Sequence, residues 1–218
     1  MLRLLFSLPK VIWFNFRYLP FKLAVKLPIF LTYDTQVNIK GTIYYLGPLK
    51  MASVRIGFHR ADGCNKSDET QLVVRKYGKL TINGTAHIGN GSKIIVDKKA
   101  SLSLGDNFAI SASSKILCYK QISFGSDIQL SWGNVIMDSD THAIYDKDGK
   151  IINLPKSVFL DNKIWTGCNV LILKGIHIPS NCVIGANSIL SINSFNPNSI
   201  IAGCPAKSIK EIGGFIID

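Results

Sequence analysis

His142 is the histidine whose surroundings in the sequence best suit catalysis. It follows Asp138 and Asp140 closely and stands where a regular repeat is interrupted, so we expect its side chain to be exposed in a loop. Neutral imidazole near pH 7 is a competent general base, and a nearby carboxylate can fix its tautomer and stabilise its cation. The pattern indicates a base that removes a proton from a hydroxyl or an ammonium group.

The remaining histidines carry weaker signals. His87 and His177 fall at variable positions of the repeat, where side chains point outward, and we expect both to be solvated. His59 lies in an irregular stretch that shows no partner for it.

The cysteines are odd in number and show no CxxC spacing, so we expect all of them to be reduced in a cytosolic protein. They are Cys64, Cys118, Cys168, Cys182 and Cys204. Cys168 directly follows Gly167 and is a candidate nucleophile, although a small residue at a turn is the interpretation that we favour.

The element that must position these residues is a six-residue repeat. Large aliphatic residues recur at Ile172, Ile178, Ile184 and Leu190. A period of six fits neither a helix nor a long alternating strand, but it fits short strands joined by tight turns. Such units are too small to bury a core alone, so they must stack as a solenoid. A β-sandwich with accidental spacing is the alternative.

A longer repeat shows how the solenoid is built. Similar stretches of about three hexapeptides begin at Leu80, Leu102 and Ile122, which predicts one three-sided coil for each stretch. Residues 138–163 break the pattern and are too polar to stack. We expect them to form a protruding loop, where a rigid scaffold can place chemistry.

The rest of the chain divides around this solenoid. Residues 1–34 are basic and aromatic, residues 35–79 are an irregular β lead-in, and residues 80–206 are the solenoid. Residues 207–218 are a tail, in which we expect a short helix that ends at Gly213 and Gly214. Prolines and cations interrupt the N-terminal apolar runs, and no signal-peptide cleavage site follows them. This N-terminal segment therefore either contacts a membrane interface or caps the open end of the solenoid.

The net charge of +11 and the pI near 9.5 predict an anionic partner. Candidates are the phosphates of coenzyme A, an acidic polysaccharide, nucleic acid and an anionic membrane surface. The sequence contains no helix-turn-helix, zinc finger or RNA-recognition motif, which argues against nucleic acid.

Three motifs resemble a known family: DTH at 140–142, IWTGCN at 164–169 and IIAGCPAKSIK at 200–210. With the hexapeptides, they resemble the left-handed parallel β-helix acyltransferases, and among these the bacterial capsular-polysaccharide and lipopolysaccharide O-acetyltransferases. The resemblance implies an all-β fold of that handedness, with the N-terminal segment helical. It also implies a homotrimer with active sites between subunits, and direct acetyl transfer from acetyl-CoA to a sugar hydroxyl without a metal.

The resemblance also implies roles for individual residues. His142 would be the general base, with Asp140 beside it, and Trp165 would shape the acceptor or thioester site. Six residues match the family's coenzyme contacts: Cys168, Ala186, Ser191, Ile192, Lys207 and Lys210. An asparagine of the galactoside-type members falls at Ser113, which argues against a small free galactoside as acceptor.

Three other functions stay open. One is N-acetylation of an amino sugar, because the same base can deprotonate an ammonium group. Another is a non-catalytic scaffold or polysaccharide-binding protein. The third is a γ-type carbonic anhydrase, which needs three converging zinc-binding histidines, of which His142 alone is well placed. We expect a cytoplasmic protein, with the N-terminal segment as its route to the inner face of the membrane.

Overall fold

A computed structural model describes residues 2–58, 68–192 and 194–216. His59, Cys64 and most of the polar stretch that begins at Ala61 lie outside the described residues. The chain begins with two helices, α1 (Leu2–Tyr18) and α2 (Phe21–Ala24). The predicted helical N-terminal segment is therefore confirmed. Among the described residues, no helix is long and apolar enough to cross a membrane.

Short strands make up most of the remaining described chain. In chain order they are β1 (Ile29–Leu31), β2 (Gln36–Ile39), β3 (Thr42–Tyr45), β4 (Val54–Ile56), β5 (Gln71–Val74), β6 (Lys79–Ile82), β7 (Ala86–Ile88), β8 (Lys93–Val96), β9 (Ser101–Leu104), β10 (Phe108–Ile110), β11 (Lys115–Cys118), β12 (Gln121–Phe124), β13 (Ile128–Leu130), β14 (Val135–Met137), β15 (Val158–Leu160), β16 (Ile164–Thr166), β17 (Leu171–Ile172), β18 (His177–Ile178), β19 (Cys182–Ile184), β20 (Ile189–Leu190), β21 (Ser199–Gly203) and β22 (Ala206–Glu211).

The strands form three sheets, which we name A, B and C. Sheet A has the order β1-β4-β7-β10-β13-β16-β19-β21-β22, sheet B the order β2-β5-β8-β11-β14-β17-β20, and sheet C the order β3-β6-β9-β12-β15-β18. Each of the first six coils gives one strand to each sheet, and successive coils pair in parallel. The last part of the chain passes from β20 in sheet B to β21 in sheet A without a strand in sheet C. The result is a three-sided β-helix, as the hexapeptides predict. Its edges are the A–B, B–C and C–A corners, where the chain turns from one sheet to the next.

Alternating side chains fill the interior of this prism. In sheet B, Ile94, Ile116, Ile136 and Ile172 occupy one register and are buried. Burying each such side chain contributes roughly 1.5–3 kcal/mol. The six-residue period therefore corresponds to one strand together with the turn that follows it. Each such unit adds one inward side chain to the stack on its face.

The β-helix begins earlier than the sequence analysis predicts. Strands β1 to β5 already pair in the three sheets, for example Val37 with Leu72, so the first coil starts at Ile29 and not at Leu80. The lead-in is therefore part of the helix. The hexapeptide phase is hidden there because the turns between the early strands differ in length.

The C-terminal tail also differs from the prediction. Residues Ala206–Glu211 form β22, which pairs antiparallel with β21 at the edge of sheet A. The prediction of a short α-helix in this stretch is therefore wrong. The strand gives the last parallel strand of sheet A a partner and covers its open edge.

Helix α1 covers the opposite end. Its Asn15 side chain donates to the carbonyl of Ile29 at 2.7 Å and accepts from the Ile29 N–H at 3.2 Å. Ser7 accepts from the N–H of Tyr33 at 3.0 Å. These polar groups replace the missing neighbouring strand beside β1, while Phe14 packs into the core.

Candidate functional site

The loop that carries His142 leaves the B–C corner, after β14 and before β15. Its first residue, Asp138, is fully buried, and its carboxylate accepts the backbone N–H groups of Tyr119, Lys120 and Gln121 at 2.7–2.8 Å. Asp138 therefore fixes the start of the loop to the preceding coil. The loop is shorter than the predicted 138–163, because β15 and the residues that follow it already belong to the next coil.

Asp140 is held by two partners on the loop and the next coil. Its carboxylate accepts from the Lys174 ammonium group and from the Asn153 side chain, the latter at 2.9 Å. These hydrogen bonds, that of Lys174 first, hold the pKa of Asp140 below its ordinary value. Asn153 also donates to the carbonyl of His142 at 2.8 Å.

His142 is exposed at the base of a small hairpin. Tyr145 and Ile151 form an antiparallel bridge above it, and Asp146 accepts the backbone N–H groups of Asp148 and Lys150. Within the described residues, neither Asp138 nor Asp140 hydrogen-bonds the imidazole. The carboxylate of Asp140 instead binds the side chains of Asn153 and Lys174, and the imidazole is open to solvent. A catalytic role for Asp140 stays a prediction.

Trp165 lies on a different face. It points outward from β16 in sheet A, half exposed, and its indole N–H lies 3.4 Å from the Ser131 hydroxyl. Its ring is 6.4 Å from that of Phe215, over which Lys163 lies. Sheet A is the side of the prism opposite the B–C corner. Within one chain, Trp165 and His142 therefore lie on opposite sides of the prism.

The residues predicted to contact the coenzyme form three groups. Cys168 and Ala186 are stacked at the A–B corner, where the coils approach so closely that a Cβ on Gly167 would lie 2.6 Å from the Ala186 nitrogen. Ser191 and Ile192 are exposed at the B–C corner, two coils beyond the loop. Lys207 and Lys210 are exposed on β22. A single chain does not gather the three groups into one pocket.

Sequence reasoning missed Lys174 and Asn153, which hold the loop. Lys174 precedes Gly175 at a corner turn, a combination that indicates only an exposed cation. Its partner is 34 positions earlier in the chain, and no local signal connects the two residues.

The described cysteines are free thiols, and Cys64 is not among them. Burial, followed by the adjacent Asp138 carboxylate, raises the pKa of the Cys118 thiol to about 12, so this thiol is not a nucleophile at neutral pH. His177 is not simply solvated, because its Nε2 atom lies 3.0 Å from a carboxylate oxygen of Asp161. The parts of the chain that the structure describes contain no group of three His, Cys, Asp or Glu residues able to hold a metal ion.

Comparison with family profiles finds none that matches this chain. Several curated proteins are similar over part of it. The galactoside O-acetyltransferase of Escherichia coli K12 is 28% identical over 116 residues, which are 52% of this chain and 55% of that protein. The putative lipopolysaccharide biosynthesis O-acetyl transferase WbbJ of the same strain is 24% identical over 63% of this chain and 74% of its own. The polysialic acid O-acetyltransferase of Neisseria meningitidis is 45% identical over 56 residues, 26% of its length.

Two solved structures share the fold. The polySia-specific acetyltransferase NeuO superposes with a TM-score of 0.56 and 21% identity over 84% of each chain. The N-acyltransferase AntD of Bacillus cereus, solved with dTDP and 3-hydroxybutyryl-CoA, gives a TM-score of 0.50 at 13% identity over 84% of this chain and 80% of its own. The predicted left-handed parallel β-helix is confirmed. The chain spans little more than half of the galactoside enzyme, the first of the curated proteins above.

Proposed function

We propose that this chain is a member of the hexapeptide-repeat acyltransferase family and an O-acetyltransferase that acts on a sugar hydroxyl of a bacterial surface polysaccharide or its precursor. Acetyl-CoA is the proposed donor. The observation that carries the proposal is the His142 loop, because an otherwise regular β-helix breaks its stacking to expose an imidazole and then anchors it through Asp138, Asp140 and Asn153. A purely structural solenoid needs no such loop.

The proposed reaction is a direct transfer. His142 removes the proton from the acceptor hydroxyl as its oxygen attacks the thioester carbonyl carbon, and negative charge collects on the carbonyl oxygen. The new C–O bond forms, the C–S bond breaks, and the imidazolium returns the proton to the departing thiolate. Donors already in place must stabilise the oxyanion, and corner backbone N–H groups or the Trp165 indole suit this task. No acyl-enzyme forms.

For the donor, we propose contacts along the coil corners. The backbone at Cys168 and Ala186 would line the thioester arm, Ser191 and Ile192 would contact it further along, and Lys207 and Lys210 would approach the phosphates. The exposure of both lysines on β22 supports the last assignment.

We further propose that a site combines two copies of this chain in a trimer. The separation of His142 from Trp165 within one chain supports this, because a loop that protrudes from a corner can reach face A of a neighbouring copy. The outward side of sheet B supports it as well. Part of this outward side is half-buried and apolar, as a subunit interface requires, at Ile95, Leu117, Val135, Leu171 and Ile189. Lys93 and Lys115 lie among these residues.

A membrane contact through residues 1–30 is part of the proposal. The side of α1 opposite its packed face is apolar, with Leu5, Phe6, Ile12, Trp13 and Phe16 all about half exposed or more. The first 60 residues contain nine Lys and Arg and a single acid, Asp34. A surface helix normally turns polar residues outward, so an apolar face with cations beside it suits an anionic membrane at the cytoplasmic side.

The test is release of free coenzyme A from acetyl-CoA, measured with a panel of hydroxyl-bearing and amino-bearing oligosaccharides. Release that depends on a hydroxyl acceptor supports O-acetylation. Release that depends only on amino sugars would replace the proposal with N-acetylation. A protein that binds no acetyl-CoA would instead be a scaffold or polysaccharide-binding protein.

A further inference from the structure

The B–C corner carries cations on almost every coil, and we call this row the basic ridge. Its members occupy the turns after β2, β5, β8, β11 and β17. They are Lys40, Arg75, Lys76, Lys98, Lys99, Lys120 and Lys174. All but Lys174 are exposed. Within these five described turns the one acidic residue is Asp97, which lies 3.3 Å from Arg75. Because the turns contain seven cations, the ridge is strongly positive.

The other two corners differ in charge. Six turns of the A–B corner contain no lysine or arginine: 32–35, 89–92, 111–114, 131–134, 167–170 and 185–188. The longer turn after β4 contains Arg60 and Lys66, which lie outside the described residues. The C–A corner carries Asp106, Asp127 and Asp161 together with Lys50 and Lys163. Among the described turns, lysine and arginine are therefore concentrated at the B–C corner.

The ridge leads to the proposed base. Neighbouring strands lie about 4.8 Å apart, so each coil moves the row by that distance toward the loop. Lys120, on the coil before the loop, lies 3.4 Å from the carbonyl of Pro155 within it. Lys174, on the coil after the loop, holds Asp140. His142 therefore protrudes at the end of a continuous line of positive charge.

An aromatic ring lies within this line. Tyr77 is 63% exposed, and the Lys76 ammonium group lies 4.9 Å from its ring centroid. An exposed ring offers an apolar face beside a charge, a combination that suits a sugar ring bearing a carboxylate.

We propose that the basic ridge binds an anionic polysaccharide and presents it to His142, so that the acceptor is an acidic polymer several sugars long. That the bound polymer is the acceptor rests on the proposed function. Binding to the ridge does not, because it requires neither acetyl-CoA nor catalysis.

The test measures binding of fluorescent polysialic acid and hyaluronate fragments of graded length, with dextran as the neutral polymer, in the absence of acetyl-CoA. The ridge variant is Lys76→Gln/Lys98→Gln/Lys99→Gln, and the matched control is Lys22→Gln/Lys26→Gln/Lys50→Gln. We expect the wild type to bind the acidic polymers, more tightly with length and more weakly with salt. The ridge variant should lose about tenfold in affinity and the control should not.

Four results would overturn the proposal. The first is a wild type that binds neither acidic polymer, and the second is a control variant that loses as much affinity as the ridge variant. Loss of acetyl-CoA affinity in the ridge variant would assign the ridge to the coenzyme phosphates. Loss of vesicle binding would assign it to a membrane. If polymer binding follows the ridge while no acceptor supports coenzyme A release, the ridge stands and the proposed enzyme activity falls.

Discussion

The ammonium group of Lys174 donates to the carboxylate of Asp140, two residues before His142. The two partners belong to successive coils, and the link fastens the base of a protruding hairpin to the rigid prism below it. Asn153 completes the arrangement by joining Asp140 to the carbonyl of His142. The base of the loop that carries His142 is therefore anchored by a residue of the following coil, which comes later in the sequence.

Replacing Lys174 with Met should loosen the loop and lower kcat by about tenfold, because small displacements of a catalytic group are costly. Melting temperature should hardly change, since the partly exposed link contributes little to global stability. Trypsin should cut faster after Lys147 or Lys150, and Lys174→Arg should restore protection. An unchanged cleavage rate would show that Lys174 does not anchor the loop.

The same link has a pH dependence. Because hydrogen bonding lowers the pKa of Asp140, its carboxylate stabilises the attached loop above the ordinary value of 3.8, and this stabilisation is lost only as pH falls through the lowered value. Tryptic protection is measured near neutrality, where the link is intact.

His142→Ala should reduce acceptor-dependent coenzyme A release by roughly a hundredfold or more, since a general base is lost. The side chain is exposed, so thermal unfolding should match that of the wild type. His177→Ala is the matched control, because that histidine lies on β18 of sheet C and is not part of the loop. If the wild type and His142→Ala release coenzyme A at the same rate, His142 is not the general base.

Mixing two inactive variants should restore activity if sites lie between subunits. His142→Ala and Trp165→Ala would each fail alone. After subunits exchange, about a quarter of the interfaces in an equal mixture would combine an intact loop with an intact face A. Recovery is measured as coenzyme A release after refolding the mixture. No recovery, or full activity in a proven monomer, would contradict the shared site.

Gly89→Ala should destabilise the β-helix by about 3 kcal/mol, because its new Cβ would lie 1.7 Å from the backbone oxygen of Ser111 on the next coil. Gly213→Ala is the matched control, since no atom lies within 4 Å of its Cβ position. Chemical denaturation compares the free energies of unfolding. Equal values for both variants would mean that the coils can separate at Gly89 without cost.

The apolar face of α1 should bind vesicles of phosphatidylcholine with phosphatidylglycerol more strongly than vesicles of phosphatidylcholine alone. Changing Leu5, Phe6, Trp13 and Phe16 to Gln should weaken sedimentation with the anionic vesicles about tenfold. Tyr44→Gln/Ile209→Gln removes exposed apolar residues elsewhere and should have no effect. If the α1 variant instead abolishes self-association and vesicles are never bound, a second copy covers this face.

The sequence by itself determined the kind of fold and the position of the loop. Strand alternation and turn chemistry are local, so Ile172, Ile178 and Ile184 reveal inward columns without any knowledge of their neighbours. The break after Ile136 is equally local, because polar residues cannot replace core residues. This break is the feature that makes His142 the candidate base.

Only the tertiary structure decided which side chains meet. The turn at 40–41 has two residues and the turn at 75–78 has four, so the distance along the chain between stacked residues varies from coil to coil. Sequence spacing therefore could not join Asp140 to Lys174, separate Trp165 from His142, or place Lys76 and Lys99 on one corner. Which residues are stacked depends on the number of residues in each coil. This number changes with the length of the turns.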